Sequence, residues 1–362
     1  MGLYRDLLKR IDELSFGFPK SFVGADLILI KKIFSREDAQ DFLLMEKGYH
    51  TAEEYAAANG FSVETAKEKL DRMAGRGLIF RRHRERGDEY SMHPFVMGFL
   101  EWQGARPNVA KDWLLPTSIY MITSGFGKRM NQTTPFYRTI PMHKEFVEGS
   151  VVQAYDDIES LLDAHSRFAV SVCMCRLMDK VKPKNPCTHP LETCIVTDDY
   201  ADFYIETGIG REISKEEALA ILREGEKDGR IIQATNSQGG ENFCSCCACG
   251  CGMLALKRMF PGPSAALWSN HFCWLDEEKC IHCGRCAKRC TFGYIKFDPK
   301  TKTPIIDSEA CLGCGLCVST CPTKALRLHQ KSPDKLYTPP PTYDDAVEIW
   351  EAETKKNYDR FK

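Results

Sequence analysis

The sequence predicts a multidomain α+β protein, and three observations predict it. Capped helices and a hairpin pattern fill the first hundred residues, all eighteen cysteines lie between 173 and 321, and one cysteine spacing occurs twice, at 280–290 and 311–321. The expected organisation is an N-terminal domain over 1–105, a central cysteine-rich α/β domain over 106–275, and a compact repeat domain over 276–330. A proline-rich linker and a C-terminal helix follow over 331–362.

Residues 1–105 carry successive helix starts. "SRED" at Ser35 and "TAEE" at Thr51 match the capping box, in which a side-chain oxygen and an acid three residues on satisfy free N–H groups. Ser62 caps a third helix whose Val63, Ala66, Leu70 and Met73 form one apolar stripe. "LIFRRHRERGDEYSMHPF" then reads as two strands around a Gly87-Asp88 turn. Over roughly 22–100 this order resembles a winged helix-turn-helix. The would-be recognition helix balances Lys67, Lys69 and Arg72 with Glu64, Glu68 and Asp71, whereas DNA-reading helices carry a positive surplus. The wing is basic, with Arg81, Arg82, Arg84 and Arg86, which suits a phosphate backbone or a protein surface. DNA binding is therefore the weaker expectation beside docking.

Composition narrows the classes. A net charge of −1 gives no global attraction to nucleic acid or to anionic membrane. "MGLYRDLLKRIDELSFGFPK" reads as a charged amphipathic helix with no apolar signal core, and Asp6 breaks the myristoylation pattern. The most apolar stretch, "WLLPTSIYMITSGFG", is too short to span a bilayer and is broken by Pro116. The expectation is a cytoplasmic protein with reduced thiols, most of them binding metal. No Gly-rich dinucleotide fingerprint or Walker A motif occurs, and "SGFGKRM" (124–130) lacks the full phosphate-loop pattern.

The strongest signal is the repeat. "CIHCGRCAKRC" sets Cys280, Cys283, Cys286 and Cys290 at spacings of x2, x2 and x3, and "CLGCGLCVSTCP" repeats this with Cys311, Cys314, Cys317 and Cys321. This is the spacing of a bacterial two-cluster ferredoxin, in which three cysteines wrap one cubane and the fourth ligates the other. Two [4Fe-4S] clusters are expected. Cluster I takes Cys280, Cys283, Cys286 and Cys321; cluster II takes Cys311, Cys314, Cys317 and Cys290. Thr291 stands where a proline is expected, and Gly284, Gly313 and Gly315 let backbone approach the sulfides. Loop I carries Lys279, His282, Arg285, Lys288 and Arg289, while loop II is apolar or small. Positive charge favours the more negative reduced state, so cluster I is expected to have the higher potential. "KFDPKTKTPIID" reads as a hairpin between the loops.

The central domain adds nine more candidates. Phe168–Val172 reads as a buried strand, followed by Cys173 and Cys175, which share a side if the strand continues, and by Cys187 and Cys194. These four thiols would complete a metal site. "SKEE" at Ser214 caps a helix with Ala218, Leu219, Ile221 and Leu222 on its apolar face, and "GRIIQAT" reads as a strand. Then comes "CSCCACGC", with Cys244, Cys246, Cys247, Cys249 and Cys251, running into the helical "GMLALKRM". Adjacent Cys246 and Cys247 are expected to point differently, and thiols at a helix start meet free N–H groups. One or two additional Fe–S clusters, or zinc, are expected here. Cys273 falls outside every group.

The run Cys173, Cys175, Arg176, then Cys187, His189, Pro190, Leu191, Cys194, then Glu216, Glu217, Ala218, then Cys244, Cys246, Cys247, Cys249 ahead of the ferredoxin repeat resembles a family of 4Fe-4S binding proteins of anaerobic bacteria and archaea. It covers roughly 135–330 and departs at Gly250, where the family often carries a further cysteine. The resemblance implies electron transfer through clusters without fixing a reaction. The expected function is an iron–sulfur electron-transfer subunit working between redox protein partners. A redox-sensing DNA-binding regulator and a cluster-linked thiol/disulfide oxidoreductase using Cys246 and Cys247 are the alternatives.

Overall fold

The computed structural model describes residues 2–106, 111–130, 134–180, 186–259 and 267–359. It is a mixed α+β assembly whose sheets follow the cysteine distribution.

In the N-terminal part, Ser35 and Thr51 both close capping boxes, with Asp38 and Glu54 as reciprocal partners. Ser62 caps the helix Val63–Gly75, whose Ala66, Leu70 and Met73 are fully buried. Tyr49–Thr51, Gly87–Ser91 and Phe80–Arg84 form a three-stranded antiparallel sheet in that order. The hairpin turns at Glu85-Arg86 rather than at Gly87-Asp88, because Arg84 pairs with Gly87 in the ladder. The apolar stretch forms the helix Lys111–Thr123 around Pro116, and among the described residues no helix is long and apolar enough to cross a membrane. Its Leu115, Ile119 and Ile122 are exposed, near the exposed Phe22 of the segment that bonds to Thr123.

The wing does not face solvent with free charge. Arg81 pairs with Asp71 and Glu206, Arg82 and Arg86 with Glu89, and Arg84 with Asp199 at 2.8 and 2.5 Å. Asp199 and Glu206 belong to the helix Asp198–Glu206 of the central part. Beneath these pairs Phe80, His93, Trp102, Tyr200 and Phe203 pack ring on ring. The same basic residues that suggested phosphate contacts therefore hold the hairpin to the body.

The central part is a seven-stranded sheet in the order Leu267–Trp268, Tyr137–Thr139, Ile231–Thr235, Asn242–Cys246, Glu192–Thr197, Phe168–Val172, Gly210–Glu212. All pairings are antiparallel except that of the two strands at the Leu267 edge. Helix Lys215–Lys227, capped by Ser214, buries Ala218 and Leu222 against one face. The strand Phe168–Val172 stops at Val172, and Cys173 caps the helix Met174–Asp179, so Cys175 lies in a helical first turn and not on a continuing strand.

A third sheet, His271–Leu275, Leu326–Gln330 and Val147–Glu148, carries the cysteine repeat, with the expected hairpin at Ile295–Phe297 and Pro304–Ile306. The C-terminal helix Tyr343–Asp359 packs back on the N-terminal part. Trp350 is fully buried against Phe16 and Phe136, with ring centroids 5.0 and 5.1 Å away. Glu351 accepts from the Ser15 N–H at 3.1 Å and from Lys47 at 2.9 Å.

Candidate metal centres

The repeat builds two cradles. Three cysteines of the first loop, Cys280, Cys283 and Cys286, line one cavity together with Cys321 from the end of the second loop. Chain reversal through the short helices Arg285–Arg289 and Leu316–Ser319 brings this fourth thiol back. The His282 N–H points at Cys280 Sγ from 3.4 Å. Burial opposes a thiolate at Cys321, but N–H groups of Leu326 and Ala325 and the Thr323 hydroxyl outweigh it and hold its pKa below the usual thiol range. Burial alone dominates at Cys286 and pushes it up to about 11.

Cys311, Cys314, Cys317 and Cys290 form the second set. Burial pushes Cys311 up to about 11; N–H groups of Gly313 (3.5 Å) and Cys273 (3.4 Å) pull it back, while Cys317 and Cys290 push further. Burial raises Cys314 strongly, and Cys317, Cys311 and Cys290 add to it. Gly313 is required here: its φ is +58°, and a Cβ would stand 2.4 Å from the His271 carbonyl oxygen. Cys273, left out of every sequence group, lies 3.4 Å from Cys317 Sγ. Its place on the strand His271–Leu275, facing the second loop, brings it there.

Two charges differ from the local sequence picture. Lys279 is paired with Asp276 at 2.7 Å, and Arg289 donates to the carbonyls of Glu226 and Lys227 at 2.6 and 2.7 Å. Meanwhile Lys257 and Lys331, remote in sequence, line a cavity of about 450 Å³ with Cys311. The second cradle is thus less apolar than its own loop.

The nine central thiols divide in two. Cys173, Cys175, Cys194, Cys244, Cys246 and Cys251 form a chain of neighbours. The Cys175 thiol raises Cys173, that of Cys244 raises Cys194, and that of Cys244 followed by Cys251 raises Cys246. Cys251 is pulled down to about 5, first by the thiols of Cys175 and Cys246, against burial, with help from the Leu254 N–H at the start of the helix Gly252–Met259. Asn242 donates to Cys194 Sγ at 3.3 Å, and its oxygen accepts from Tyr137 at 2.8 Å. Gln233 Oε1 lies 3.2 Å from Cys246 Sγ.

Cys187, Cys247 and Cys249 form the other group, their sulfurs all within 4.8 Å of one another. Cys187 therefore stands apart from Cys173, Cys175 and Cys194, the set suggested by their order in the chain. The string "CSCCACGC" is shared between the groups because Cys244 and Cys246 end a strand, and Cys247 begins the turn that leaves it. Cys246 and Cys247 face different neighbours.

Residues 273–328 match the family model of a 4Fe-4S dicluster domain. Searches of curated proteins and of solved structures find no match to the chain. The match, the paired cradles and the cysteine content establish a 4Fe-4S domain that holds at least one cluster and supports an iron–sulfur electron-transfer role.

Proposed function

We propose that this protein is a cytoplasmic electron-transfer subunit that passes single electrons between redox protein partners. Two [4Fe-4S] clusters and at least one further thiol-bound centre would lie along its length. The observation that supports this reading is that Cys321 of the second motif lines a cavity with Cys280, Cys283 and Cys286 of the first, as a crossed ligand set would require. Cluster I is assigned to these four, and cluster II to Cys311, Cys314, Cys317 and Cys290. When bound, the clusters supply one-electron redox chemistry. The chain supplies thiolates, N–H groups aimed at sulfur, and a partly buried setting that tunes the potentials. The six-thiol group offers a third set of ligands behind the ferredoxin unit. All eighteen cysteines are free thiols, which fits a reducing compartment.

We read residues 22–100 as a winged-helix unit used for docking. Its helix–helix–strand–helix–helix–hairpin order supports the first half of that reading. The ion pairs of Arg81 and Arg84 with Glu206 and Asp199 support the second, and they disfavour a DNA-binding regulator, because the phosphate-facing charge is already used. A thiol/disulfide mechanism through Cys246 and Cys247 is likewise not favoured, since the two face apart.

Anaerobic reconstitution with iron and sulfide, followed by metal analysis and low-temperature EPR of the reduced protein, tests the assignment. Cys280→Ser and Cys321→Ser should perturb the same cluster signal, and Cys311→Ser and Cys290→Ser the other. If Cys321→Ser instead perturbs the signal lost in Cys311→Ser, the crossed pairing is wrong.

A further inference from the structure

We propose that Cys187, Cys247 and Cys249 bind one thiophilic divalent ion, zinc in the cell, with its fourth coordination position open at the surface. This site is separate from the iron–sulfur clusters and does not depend on the electron-transfer reading.

Spacing carries the argument. Cys187 Sγ lies 3.5 Å from Cys247 Sγ and 3.2 Å from Cys249 Sγ. A tetrahedral ion with metal–sulfur bonds of about 2.3 Å sets its sulfurs about 3.8 Å apart. A cubane spreads its ligands more widely, because each sulfur bonds a different iron. The same fold provides the comparison. Cys280, Cys283, Cys286 and Cys321 line a common cavity. The chain thus holds one cysteine set open and another closed to the dimensions of a single ion.

The surroundings fit such an ion. Three thiolates and a divalent cation leave one negative charge. The Arg176 guanidinium lies beside it, Nε 3.5 Å from Cys247 Sγ, and is only 1% exposed. Arg176 is held by Thr193 Oγ1 at 2.6 Å and by the carbonyls of Pro190 and Ser245, so the countercharge is fixed in place. Asp179 accepts from the Cys187 N–H at 2.7 Å and fixes the remote ligand. Gly250 lets the turn bearing Cys247 and Cys249 close on Cys187; a Cβ there would be 3.2 Å from Cys187 Cβ. Among the described residues no fourth histidine, cysteine or carboxylate joins the three, and Cys249 is exposed. Structural zinc sites are closed by four protein ligands, whereas sites with three keep a place for an exchangeable one. A soft sulfur-rich site facing solvent suits a small thiol there.

The test uses the full chain, reconstituted anaerobically with iron and sulfide and then titrated with Co²⁺ as a spectroscopic substitute. The expected result is one Co²⁺ per chain with tetrahedral thiolate bands that shift when 2-mercaptoethanol is added. Cys249→Ser should weaken Co²⁺ binding by at least about ten-fold while the iron content stays unchanged. Cys249→His, which keeps a ligand, should retain the ion with altered bands, distinguishing lost ligation from lost folding. Loss of about four iron atoms per chain in Cys249→Ser would make the site a cubane and overturn the proposal. So would failure of the wild-type chain to bind Co²⁺, or bands that ignore the added thiol.

Discussion

Replacing Arg289 by alanine should loosen the ferredoxin unit from the central sheet without removing a ligand. Arg289 precedes Cys290 and reaches across to the last turn of the helix Lys215–Lys227, where one nitrogen donates to two carbonyls at 2.6 and 2.7 Å. The Glu226 carbonyl also accepts from the Gly229 N–H at 2.9 Å, and both carbonyls lie at the negative end of the helix dipole. A hydrogen bond to a charged group contributes about 1.5–3 kcal/mol. Because one half-buried nitrogen serves both carbonyls, we take about 2 kcal/mol for the contact, roughly thirty-fold in the docking equilibrium. Ser319, from the second loop, donates to Glu226 Oε1 at 2.5 Å and keeps part of the interface in place. Native-state hydrogen exchange on reconstituted protein reads the result. The amides of Asp228, Gly229 and Arg230, which bond to the helix's last carbonyls, should exchange about thirty-fold faster in Arg289→Ala and less so in Arg289→Lys. Unchanged exchange there and around Cys290, at wild-type iron content, would refute the claim that this arginine joins the two parts.

Three further outcomes follow from named contacts. Lys331→Met should lower the potential of the cluster beside Cys311 in a redox titration: a unit charge within about 10 Å at an effective dielectric of about 20 contributes about 1.7 kcal/mol, or roughly 70 mV. His165 is bonded to Asp198 at 2.7 Å and to the Gly239 carbonyl, and these outweigh burial and raise its pKa. Its stabilisation is complete below the unfolded histidine value and is lost as pH rises through the folded one. The fall in melting temperature from pH 6 to 8 should therefore shrink in His165→Gln. Arg84→Glu should cost at most about 1 kcal/mol because the pair with Asp199 is partly exposed, and Arg84→Glu with Asp199→Arg should recover much of it in a thermal-unfolding cycle.

What was legible in the sequence was what depends on local spacing. Ser35, Thr51, Ser62 and Ser214 each cap the helix expected of them, because a cap involves only its next three residues. The repeat pointed to cubane geometry for the same reason. The central thiols were less legible. Cys187 is nearest in order to Cys194, yet the sheet register places Cys194 opposite Cys244, and the turn after Cys246 carries Cys247 and Cys249 to Cys187. Register and turn direction are long-range outcomes that spacing does not encode. Charge misled in the same way. Partners of Arg81, Arg84 and Arg289 lie on the helices Asp198–Glu206 and Lys215–Lys227, far along the chain, whereas Arg82 and Arg86 pair with Glu89 of their own hairpin. The missing hint for Lys331 was that a residue closing the last strand comes to face the second cradle.

The buried Trp350 has a consequence for the order of assembly. Phe16 and Phe136 pack against an indole that is synthesised after every cysteine in the chain. Domains usually fold from the N-terminus as they emerge during synthesis. Here the helix Tyr343–Asp359 supplies a buried part of the first part's core. Every cysteine of the chain, from Cys173 to Cys321, has thus been synthesised before the helix that covers this aromatic cluster.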